Sequence, residues 1–320
     1  MTPTTIGIRT LTPIWTGDAD GKCTEIKETG IIGSMRWWYE AIVRGLGGYA
    51  CDPTADGCKF DTEGYENALN GGNNIKDAIA VGLKKVCPAC QLFGCTGWRR
   101  RFRMEISDIK GDFSEGIKGG FEGRFKLKMC ETDTISDDGK WLFYQTLKII
   151  AQYGAIGGRT TRKPQRGPIG QNYGLANVDF DGVPKWNSGS SYAEAKEWIS
   201  ENKRNIGKKN DGNWFDFRYY WVIEGKYMNR LVMNNILGLN KKGKPRSVSN
   251  GDFYEFLRGQ EDASKKIFSF DKPKKMVFGY VRNEEELGKM INLLKDKFDM
   301  EVRIKKGGDI LLSLEELSNA

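Results

Sequence analysis

The chain has 320 residues, 39% of them hydrophobic and 12% aromatic, which excludes a wholly disordered polypeptide and suffices for two domains of ordinary size. Its net charge of +8 favours an acidic partner, and the complete absence of histidine removes the commonest general base and the commonest metal ligand. Ser/His/Asp chemistry, Cys/His chemistry and histidine-dependent RNA cleavage by this chain alone are thereby excluded, so a binding module is expected before an enzyme.

No basic segment followed by an apolar one opens the sequence between Met1 and Gly17, and no run reaches the ~20 apolar residues of a membrane span. A cytoplasmic protein with no membrane partner is the expectation. Seven cysteines, an odd number, then read as metal ligands, buried small hydrophobes or redox pairs rather than a secreted disulfide framework.

Along the chain, Ile6, Ile8 and Leu11 alternate with polar neighbours ahead of Pro13 and predict a strand. A helix is expected from about Gly33 and Ser34, with Ser34 as N-cap and Met35, Trp38, Ile42 and Leu46 on its buried face. Residues 47–72, rich in glycine and aspartate, read as an irregular insertion, followed by a short helix over 74–86. Strands over 101–109 and 120–129 and a helix over 141–153 come next. The order strand, helix, strand, strand, helix, strand is that of the split βαβ or ferredoxin-like unit. Past residue 180 the pattern predicts a helix from Ser191, strands over 215–224 and 276–281, a helix over 284–298 and strands over 300–305 and 310–314. The expected fold is therefore α+β: a ferredoxin-like domain over 1–180, bearing the insertion, and a second over 181–320.

Three motifs carry candidate chemistry. Residues 87–103, CPACQLFGCTGWRRRFR, join a sulfur-bearing turn to Arg99, Arg100, Arg101 and Arg103, interleaved with Trp98 and Phe102. Guanidinium groups neutralise phosphate while rings stack on bases, so this pattern points to single-stranded nucleic acid. Residues 157–174, GGRTTRKPQRGPIGQNYG, place five glycines beside Arg159, Arg162, Lys163 and Arg166. Such a loop can lie against a phosphate chain, but it lacks the order of a nucleotide-hydrolysing P-loop. Trp37, Trp38 and Tyr39 form an aromatic run that no single helix face buries. Asp18 and Asp20, in the glycine-rich loop after the first strand, could seat a metal-assisted cleavage centre, but loop aspartates ordinarily just make turns. Cys51, Cys58, Cys87 and Cys90 supply a conceivable four-thiolate zinc site, with a disulfide or free buried thiols as the other readings.

The segments GSMRWWYEAIVRGLGGY, CPACQLFGCTGWRRRFR and GGRTTRKPQRGPIG resemble, in that order, the RAMP superfamily, and within it a subunit of the Cmr complex, the type III-B CRISPR effector. The resemblance covers about residues 4–175 and implies two packed ferredoxin-like domains in a non-catalytic RNA-binding subunit. Its implied partners are guide RNA near its 3′ end, single-stranded target RNA and the other Cmr subunits, in antiviral defence. Arg36, Trp37 and Arg44, then Trp98 to Arg103, then Arg159 and Arg162, would line the RNA cleft. After Arg162 this chain departs from the usual loop, with Lys163, Pro164 and Gln165 ahead of the next glycine, so charge is a better expectation there than backbone phosphate binding. A guide-processing endoribonuclease and a purely structural assembly subunit are the alternative readings.

Overall fold

The computed structural model describes residues 3–18, 20–52, 56–114, 119–132, 135–161, 172–180, 189–247, 251–259 and 264–318, with side chains up to residue 314. Strand β1 (Thr4–Thr10) leads into helix α1 (Glu28–Gly45). The next segment carries α2 (Thr62–Asn70), α3 (Ile75–Leu83) and α4 (Pro88–Phe93). Strands β2 (Phe102–Phe113) and β3 (Phe121–Glu131), helix α5 (Asp137–Tyr153) and strand β4 (Ala176–Asp179) complete the first sheet. Its order is β2-β3-β1-β4, antiparallel throughout, which is the split βαβ arrangement.

Helix α6 (Tyr192–Ile206), opened by a capping box between Ser191 and Glu194, leads to a single 3-10 turn at Phe217–Tyr219. Then come β5 (Tyr220–Glu224), α7 (Arg230–Ile236), α8 (Asp252–Arg258), β6 (Ile267–Phe270), β7 (Met276–Tyr280), α9 (Glu284–Phe298), β8 (Lys305–Lys306) and α10 (Gly307–Ser318). The second sheet, in order β6-β7-β5-β8, repeats the topology of the first. The α+β class expected from the sequence is the class observed.

The second sheet is buried on both faces, and the period of two in its strands divides the residues between two cores. Trp221, Ile223, Ile267 and Val277 face α7 and α9, with Met233, Ile236, Leu287, Met290 and Leu294. Tyr220, Val222, Phe268, Phe270, Phe278 and Tyr280 face the other way and join one continuous core with α1, α5 and the first sheet. Trp38 stands where the halves meet. It is 1% exposed, contacts Phe215, Phe217, Tyr220 and Phe278 edge-on or tilted at 5.6–6.3 Å, and donates from Nε1 to the Ala155 carbonyl at 2.9 Å.

Several elements depart from the sequence reading. Helix α1 begins at Glu28, six residues before Ser34, and its N-cap, Lys27, makes no side-chain cap bond. Ser34 lies inside the helix, where its hydroxyl accepts from the Gly157 amide at 3.1 Å. Glu40, Val43 and Arg44, which are not among the residues of the expected buried face, are buried too, because α1 packs against both halves rather than on one sheet. The insertion contains α2, capped by Asp61. Residues 310–314 are helical within α10, since a short apolar run suits a buried helix as well as a strand.

Replacing Trp38 by alanine should lower stability by about 3–5 kcal/mol, the cost of truncating a large buried ring. Phenylalanine, which keeps a ring but loses the bond to Ala155, should cost less. Thermal unfolding of both variants checks the ranking, and equal melting temperatures would contradict it.

Candidate nucleic-acid interface

The cysteine-bearing turn is built by local chemistry. Pro88 opens α4, where a missing amide hydrogen costs nothing, and Gly94 closes it at φ 91°. A Cβ at Gly94 would lie 2.9 Å from the Arg100 amide nitrogen, so the chain reverses tightly there. Paired backbone bonds between Cys95 and Trp98 fix the reversal. The sulfurs of Cys51, Cys58, Cys87 and Cys90 lie within 4.8 Å of one another, and none of the seven cysteines forms a disulfide. Cys51, Cys87 and Cys90 are buried and Cys58 is half-buried. Hydrogen bonds from Cys58, Cys87 and Cys90 hold the Cys51 thiol far below its ordinary range.

The arginines of the tryptophan-bearing helix turn inward. Arg36 donates from Nε to Glu40 at 2.7 Å, from Nη1 to the Gly94 carbonyl at 3.2 Å and from Nη2 to the Cys90 sulfur at 3.2 Å. Arg44 is 1% exposed; it donates to the carbonyls of Phe215 and Ala50 at 3.0 and 3.1 Å and lies 5.7 Å from the Trp214 ring. Burial lowers the Arg44 pKa, and burial raises that of Glu40, the carboxylate between the two arginines, against the pull of Arg36. Arg44 thus holds the 213–215 segment from behind.

Trp98 is also committed within the protein. It stacks on Phe60 at 5.1 Å and 13°, the guanidinium of Arg101 sits 3.9 Å from its ring centre, and Nε1 donates to the Gln91 carbonyl at 3.0 Å. Arg101 is buried, and Arg100 donates from Nε to the Phe102 carbonyl at 2.8 Å. Arg99 and Arg103 are exposed. Of this motif, these two point most freely at solvent.

A separate groove of about 620 Å3 runs between helix α1, the loop after α5 and the edge of the second half. Trp37, half-buried, lines it from α1, and Gly157, Gly158 and Arg159 line it from the start of the glycine-rich loop. Trp214 and Lys266 line it from the second half. Gly157 has φ 86°, and a Cβ there would come within 2.8 Å of the Trp15 carbonyl oxygen, so only glycine lets the loop lie so close to Trp15. Arg159 follows at φ 58°, an uncommon conformation for a residue with a side chain. Its guanidinium lies 4.3 Å from the Trp15 ring centre and donates to the Gly21 carbonyl at 3.2 Å. Trp37 packs on Phe215 at 4.6 Å, and burial lowers the Lys266 pKa.

Of the residues singled out in the sequence, the structure therefore brings Trp37 and Arg159 together. It sets Trp98 and Arg101 apart, along a different cavity lined by α3, α4 and Trp198. Arg162, Lys163 and Arg166 lie outside the described residues. Asp18 makes a turn, accepting from the Lys22 amide at 2.8 Å. Sequence reasoning missed Trp214 and Trp15. The aromatic density of NWFDFRYYW, residues 213–221, was the available signal for Trp214, whereas nothing near Trp15 announces Arg159.

Residues 7–162 match the model of the RAMP superfamily. No curated protein matches the chain. Among solved structures, the chain is similar to Cmr1 from Pyrococcus furiosus in its apo form, at 12% identity and a TM-score of 0.45, over 96% of this chain and 99% of that one. It is also similar to a chain of a type IV-B CRISPR complex, at 14% identity and a TM-score of 0.34, over 56% of this chain and 91% of that one. Among the described residues, no helix is long and apolar enough to cross a membrane.

The Phe60–Trp98 stack should appear as a coupling of about 0.5–1.5 kcal/mol in a double-mutant cycle of the two alanine variants, read by chemical denaturation. Strict additivity would contradict a direct stack.

Proposed function

We propose that the chain is a non-catalytic RNA-binding subunit of a type III-B CRISPR (Cmr) ribonucleoprotein. In this reading it contacts guide or target RNA near the 3′ end of the guide and supports target capture in antiviral defence, in the cytoplasm and alongside other Cmr subunits. The observation that carries the reading is the groove, where two half-buried tryptophans, Trp37 and Trp214, stand beside Arg159 and the glycine backbone of 157–158. Indole faces suit unstacked bases, a side-chain-free backbone suits close approach of a phosphate, and guanidinium supplies charge. The RAMP match over 7–162, the net charge of +8 and the lack of histidine support the same reading.

Within this reading the roles divide. Trp37 and Arg159 face the RNA, with Arg99 and Arg103 as outlying charges on the exposed edge. Arg36, Arg44, Trp98 and Arg101 hold the surfaces that the others present. Arg162, Lys163 and Arg166 add charge to the same loop as Arg159.

Single-stranded RNA binding by Trp37→Ala should weaken by about 1–3 kcal/mol with little change in salt dependence, since stacking is not ionic. Arg159→Ala should lower the slope of log affinity against log salt by about 0.7, the value of one phosphate contact on a single strand. Titrations at several salt concentrations check both. Wild-type affinity and slope in both variants would remove the groove from the interface.

A further inference from the structure

We propose that Cys51, Cys58, Cys87 and Cys90 bind a structural zinc ion that fastens the insertion to α1. The four sulfurs come from three places in the chain: the turn after α1, the segment ahead of α2, and the start of α4. Cys51 and Cys90 lie 3.4 Å apart and Cys87 and Cys51 3.8 Å apart, and all four fall within 4.8 Å. Zinc–sulfur bonds of about 2.3 Å in a tetrahedron place sulfurs about 3.8 Å apart, so the cluster has the dimensions of a coordination shell.

The surroundings suit thiolates rather than thiols. A zinc ion with four thiolates carries two negative charges, and such a centre needs donors when buried. Arg36 provides one from Nη2 to Cys90 at 3.2 Å, and the Cys87 amide provides another to Cys58 at 3.3 Å. The same guanidinium bonds the Gly94 carbonyl and Glu40, which ties the cluster to the middle of α1. Four protein ligands leave no open position, so the ion would hold structure and not perform catalysis. Its mechanical role follows from the chain: α2 and α3 expose most of their residues, and α2 buries none fully. Such an insertion lacks an apolar core large enough to fix it, and a metal cross-link supplies the missing constraint.

Metal analysis of the full chain, purified without chelator, is expected to find zinc equimolar with protein. Cys58→Ser, at the half-buried position, should lose the zinc, whereas Cys130→Ser, exposed on β3, should keep it. Arg36→Ala should keep zinc but weaken it about 10–100-fold in chelator competition. Should Cys58→Ser fail to fold, cobalt loaded into the wild-type chain decides the matter: intense visible bands of a tetrahedral thiolate centre support the site. Metal-free protein with four titratable thiols at these positions, disulfides among them, or bound iron in place of zinc would overturn it.

Discussion

The structure depends on the second half of helix α1, residues 38–45, being buried on every side. A helix on one sheet shows a single apolar stripe and a polar back. Here the back of the helix meets a second sheet, so Trp38, Tyr39, Ile42 and Val43 are all buried, and Glu40 and Arg44 go in with them. Those two charges are accommodated because Glu40 pairs with Arg36, and Arg44 reaches carbonyls of the turn after α1 and of the 213–215 segment. Removing one partner would leave the other charged and dry, which is far costlier than losing an exposed ion pair.

The same packing decides which surfaces remain for a ligand. A ferredoxin-like sheet commonly keeps one face clear of helices, and RNA-binding members of that topology stack bases there. In the second sheet that face is closed, since Phe268, Phe270 and Phe278 stack on one another against α1. The groove is what the junction leaves open. Its tryptophans come from α1 and from the segment ahead of β5, and its backbone wall comes from the loop after α5, so neither half builds it alone.

Much of the fold was legible because it is local. Alternation in Ile6 and Ile8, or in Phe125, Leu127 and Met129, follows from the pleat, and the split βαβ order follows from the sequence of elements. The start of α1 was not, because Ser34 has the chemistry of a cap but sits in a helix already begun at a position without one. The candidate site was legible in composition and not in arrangement. Arginine beside tryptophan at 98–101 looks like a surface for bases, yet Phe60, almost forty residues earlier, occupies that indole. Likewise Arg44 reads as a basic surface position until the segment ahead of β5 covers it. The four cysteines were nameable as a set from the sequence, but only the fold shows that Cys51 and Cys58 come within reach of the CPAC sulfurs.

The central claim is that RNA lies in the groove lined by Trp37, Arg159 and Trp214 and not on the Trp98 motif. Photocrosslinking of the chain to single-stranded RNA, with adducts mapped by mass spectrometry, tests it most directly. The account predicts adducts on peptides containing Trp37 and Trp214. Adducts confined to the peptide containing Trp98, with none at the groove, would contradict it.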